Sequence, residues 1–155
     1  MKHKFLLDEN ILYYALEGVA EDGRPDLTAT NLVRLIGQNC HRIVVDRELS
    51  GRYVGHLRLK QLRTSLILQP IEFFNEFVLN WAKSSWESAD PANPPVIPKA
   101  ANIPVKDTHI IRLALVSQAM VITCDRALRL AINGYPAFGV RALTPDEAIP
   151  FASDS

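Results

Sequence analysis

The chain has 155 residues, enough for one domain with one substantial core, and its 17 basic and 17 acidic side chains give a formal net charge of zero. That balance supplies no global positive field for nucleic acid, so any polyanion site has to be local. No apolar run approaches the roughly 20 residues that span a bilayer, and "MKHKFLLDEN" lacks the pattern of a signal peptide. A cytoplasmic protein without membrane association is expected.

In chain order, apolar runs alternate with helical patterns. "KFLLD" opens as a strand whose continuous Phe5, Leu6 and Leu7 suit burial on both faces of a parallel sheet. "ILYYALEGV" follows, then a turn at "EDGRPD", then "LTATNLVRLIGQN", where Leu27, Leu32, Leu35 and Ile36 keep helical spacing. "RIVVD" is the second buried strand. From Arg47 to about Leu62 the pattern is helical, although Gly51 and Gly55 each cost about 1 kcal/mol relative to Ala. "IEFFNEFVLNWAKSSW" reads as one further helix, with Phe73, Phe74, Phe77 and Trp81 as core. The five prolines of "ADPANPPVIPKAANIP" predict an extended loop with little regular structure. "DTHIIRLALVSQA" resumes helix, "MVITC" is a third strand, "RALRLAI" a short helix, "GVRAL" a fourth strand, and "TPDEAI" a short capped turn. One domain over 1–150 with a short tail at 151–155 is expected.

Strands alternating with helices predict a three-layer α/β/α sandwich around a central, mainly parallel sheet. Ligands of such sheets bind beyond the carboxyl ends of the strands. Asp8 ends the first strand, Asp125 ends the third, and Asp107 opens the helix between them. Each alone reads as a helix N-cap. Together they put several carboxylates on one rim, an arrangement whose mutual repulsion a bound cation relieves. Cys40 and Cys124 form no CxxC or Cys/His spacing, which leaves reduced structural thiols and no zinc site.

"FLLDENIL", "KDTHIIRLALVSQAMVITCD" and "ALTPDEAI" resemble, in order and spacing, the pieces of the PIN-domain nucleases, a family that includes the VapC toxins. The resemblance assigns Asp8, Asp107 and Asp125 to a catalytic Mg²⁺ or Mn²⁺ site, with Thr123 supporting it by hydrogen bonding. It implies a ribonuclease, the toxin component of a toxin–antitoxin pair, with RNA as substrate, an antitoxin protein as partner and a homodimer as assembly. His109 is a candidate supporting donor or phosphate contact.

One position departs from the family. Where its pattern carries Glu before Tyr-x-x-x-Leu, this chain places Arg52 before Tyr53 and Leu57; Glu48, one turn earlier, is the candidate fourth carboxylate, with Asp46 behind it. Glu48 also reads as a first-turn acid favoured by the helix dipole. The departure supports an alternative, a PIN-like module that binds RNA or protein without efficient catalysis. Arg52, Lys60 and Arg63, with His56 and Arg58, are one candidate RNA-binding set, and Arg126 and Arg129 another; a solvated helix face accounts equally well for the first. A phosphoacceptor receiver domain would explain "LLDEN" and "VVDRELSG", but its late lysine is missing from "GVRALTPDEAI".

Overall fold

A computed structural model describes residues 1–59, 66–89 and 92–154. Its elements are β1 (Lys4–Leu7), α1 (Glu9–Glu17), α2 (Thr28–Gln38), β2 (Arg42–Val45), α3 (Arg47–Leu59), α4 (Pro70–Phe73), β3 (Ser84–Trp86), α5 (Thr108–Ser117), β4 (Met120–Ile122), α6 (Arg126–Asn133), β5 (Ala142–Leu143) and α7 (Pro145–Ser153). The five strands form one wholly parallel sheet in the order β3-β2-β1-β4-β5. Right-handed crossovers then set α1 to α4 on one face and α5 and α6 on the other. α7 packs along α2, and α1 packs on α2 and α3. This is the α/β/α sandwich that the alternation of elements predicts.

The core follows from the apolar runs. Phe5, Leu6 and Leu7 of β1 and Ile43, Val44 and Val45 of β2 are fully buried, as strands covered by helices on both faces require. At the rim, Tyr53 ties α3 to the end of β1: its ring is fully buried and its hydroxyl donates to the Leu7 carbonyl at 2.6 Å.

Four expectations change. The run read as one helix over 71–86 is α4, a π-helical turn at Phe74–Val78, and the edge strand β3. A turn at Asn80 overrides helical periodicity: the Asn80 carbonyl accepts from Lys83 and Ser84 amides, and its side chain accepts from Ala82. Ser84 to Trp86 then pair with Ile43 to Val45. Trp81, read as core, is 77% exposed in that turn. Third, β5 is shortened to two residues, because Gly139 at φ 67° caps a 3-10 turn over Pro136–Phe138. Last, the short turn near the C-terminus is the nine-residue α7, started by a capping box between Thr144 and Glu147 and continuing past Pro150, with Ala152 fully buried. The proline-rich segment behaves as expected over its described part, with one 3-10 turn at Lys99–Ala101. The expected continuation of α3 to Leu62 lies outside the described residues.

Tyr53→Phe removes one hydroxyl and strands the buried Leu7 carbonyl. A loss of about 1–2 kcal/mol in urea denaturation, with an unchanged denaturant slope, is the expected outcome.

Candidate functional site

The strand order reverses at β1: β2 lies on one side and β4 on the other, so the crevice beyond the carboxyl ends of β1 and β4 is the topological switch point. Asp8 follows β1, and its amide donates to the Ile122 carbonyl of β4 at 3.0 Å. It occupies the N-cap of α1 yet makes no side-chain cap. Instead Asp8 Oδ2 accepts from Thr123 Oγ1 at 2.9 Å. Thr123 is fully buried and its oxygen also accepts from the Asp125 amide at 3.1 Å, so one hydroxyl links both strand-end acids. Asp125 does cap: Oδ1 accepts from the Leu128 amide at 3.1 Å, while Oδ2 lies 3.5 Å from Lys106 Nζ. Asp107 precedes α5 without a side-chain cap, and its buried Oδ2 has no hydrogen-bond partner.

The electrostatics join these groups. Burial raises Asp8 to about 7, assisted by its hydrogen bond to Glu9, by the Glu9 charge and by Asp107, against the opposing Thr123 bond. Burial would raise Glu9 too, but the bond from Asp8, its own amide, and the charges of Arg52 and His56 hold it below the usual range. Asp107 is raised by burial and by Asp125 and Glu9, with Lys106 and Arg52 opposing. Asp125 is lowered, first by the Leu128 amide. Asp8, Asp107 and Asp125 therefore share one rim with Glu9. The sequence reading passed over Glu9 as a partner, although its place beside Asp8 in "DEN" was the available signal.

Glu48 belongs to a neighbouring group. Its Oε1 accepts from Arg52 at 2.9 Å and its Oε2 lies 2.8 Å from His109 Nδ1. His109 Nε2 lies 2.7 Å from Asp46 Oδ2, while Asp46 Oδ1 accepts from the Leu49 amide. His109 thus joins the start of α5 to the start of α3. Of the candidate RNA contacts, Arg126 is exposed and lines a cavity of about 380 Å³ with Asp8, Tyr14, Cys124 and Asp125. Arg129 donates to the Thr123 carbonyl at 3.0 Å. Lys60 and Arg63 lie outside the described residues.

A hard cation suits this all-oxygen donor set, and the partnerless Asp107 oxygen is available to one. Among the described residues, however, no group of three or more His, Cys, Asp or Glu side chains is already disposed to hold a metal ion. No described helix is long and apolar enough to cross a membrane.

Fold and rim together define a parallel α/β protein with an acidic crevice at its switch point. No family model and no curated protein matches the sequence. A solved structure of a PilT N-terminus domain protein from the hyperthermophilic archaeon Sulfolobus solfataricus P2 is similar, with a TM-score of 0.49 and 14% identity over 98% of this chain and 95% of that one.

Because the folded state holds the Asp8 proton up to about pH 7 and an unfolded Asp releases it near 3.8, ionised Asp8 destabilises the metal-free fold increasingly as pH rises through that window. Asp8→Asn is expected to raise the melting temperature more at pH 8 than at pH 4, measured by thermal melts in chelator.

Proposed function

We propose that the chain is a PIN-like nuclease that hydrolyses RNA phosphodiester bonds with a divalent ion, Mg²⁺ or Mn²⁺, held by Asp8, Asp107 and Asp125. The observation that carries this is the pair of acids, Asp8 and Asp107, that occupy cap positions without capping, with Asp107 and Glu9 raising the proton affinity of Asp8 and Asp125 and Glu9 raising that of Asp107. Such repulsion makes a cation the favoured occupant. The bound ion would polarise a phosphoryl oxygen and make hydroxide available from water near neutral pH.

The chain's own groups have separable tasks. Thr123 orients Asp8 and the Asp125 backbone through one hydroxyl. In the metal-free protein Asp8 holds its proton toward Glu9. Arg126, exposed beside the crevice, is placed to meet the RNA backbone. Toxin activity, an antitoxin partner and a homodimer extend the same proposal, and growth arrest on induction in a host cell, relieved by co-expressing a candidate antitoxin, is their test.

A second reading is favoured by Arg52, whose charge acts on both Glu9 and Asp107. A guanidinium so close opposes a divalent ion, consistent with a binding module of weak activity.

Asp107→Asn is expected to lower Mn²⁺-dependent cleavage of single-stranded RNA by about a hundredfold or more, with circular dichroism unchanged. Equal Mn²⁺ binding by mutant and parent in calorimetry would show that the three acids share no site. Arg52→Gln separates the two readings: removing one nearby cation should tighten Mn²⁺ binding by about tenfold. An unchanged affinity would mean that Arg52 does not face the ion.

A further inference from the structure

Beside the acidic crevice lies a second cavity of about 260 Å³, and the two have Tyr14, Glu21 and Cys124 in common. The shared residues make one groove, leading from Asp8 and Asp125 toward Arg129 and Asp146 in the first turn of α7. Two charged groups of the second cavity are already engaged: Arg24 pairs with Asp22, and Asp26 accepts from the Thr28 amide. Arg129, by contrast, donates to the neutral Thr123 carbonyl, and among the described residues no hydrogen bond or ion pair engages Glu21 or Asp146. These three charges line the same cavity, with the Tyr14 ring and Cys124 between it and the crevice.

We infer that this cavity is a nucleobase subsite next to the reacting phosphate, and that it selects guanine. The position of the phosphate rests on the nuclease reading; the binding of the base does not. A phosphate here would meet two carboxylates and one cation, which is unfavourable. A neutral base edge uses both kinds of group. Guanine offers O6 and N7 to a guanidinium as a bidentate pair, and N1–H and the 2-amino group to a carboxylate. Cytosine and adenine lack that adjacent pair of donors, and uracil has a single N–H. The Tyr14 ring, common to both cavities, supplies a stacking face.

The binding test uses the full chain in chelator, so that no metal-dependent step contributes, and compares 5′-GMP with 5′-CMP, whose phosphates are the same. GMP should bind at least about tenfold more tightly. Glu21→Gln and Asp146→Asn together should remove that preference, and Arg129→Lys, which keeps the charge but loses the bidentate fork, should weaken it. Glu21 is exposed, so the single Glu21→Gln variant gives a reading even where the double variant melts early. Equal affinity for the two nucleotides, or a preference untouched by these changes, overturns the subsite. Cleavage of RNA oligonucleotides with a single guanine in Mn²⁺ is the second arm. Cutting without guanine preference, alongside equal GMP and CMP binding, leaves the nuclease and removes the subsite; selective GMP binding without cutting leaves the subsite and removes the nuclease.

Discussion

The pairing of β1 with β4 is the constraint on which the rim depends. Three registered residue pairs hold the strands side by side, and the Asp8 amide extends the ladder by one more bond to Ile122. That last bond fixes the backbone of Asp8 where the chain leaves the sheet. Thr123, one residue beyond β4, then donates its hydroxyl to the Asp8 carboxylate and accepts from the Asp125 amide. A carboxylate on a loop would turn into water to lower its self-energy. Here the strands keep Asp8 in a largely buried position, and its raised affinity for protons is the electrostatic consequence.

Charge around the crevice is balanced locally. Lys106 stands by Asp125, and Arg52 is shared between Glu48 and the acids of the rim. His109 gathers Asp46 and Glu48 at the start of α3. A chain neutral overall nevertheless gathers several carboxylates at one rim, because sheet topology, not composition, decides which charges meet.

The continuous apolar strands β1, β2 and β4 were legible because burial on both faces leaves no alternation to disguise them. The same legibility extended to Asp8, Thr123 and Asp125, since a polar residue ending such a strand has only the rim to occupy. β3 was illegible: "SSW" has no apolar pattern of its own and becomes a strand through the open edge of β2 and the Asn80 turn. Trp81 was misread with it. Pro150 hid the length of α7, because local rules end a helix there, whereas packing against α2 carries it on. The His109 contacts join residues far apart in sequence, and no spacing rule reaches across that distance.

The two outer strands are the shortest of the sheet along with β4: β3 has three residues and β5 only two. An outer strand is a row of open amides and carbonyls to which another chain can add itself. So few exposed rungs give an incoming strand little to grip. Brevity at both borders thus guards the sheet against edge-to-edge aggregation, a protection that the apolar strands at its centre, paired on both sides, do not need.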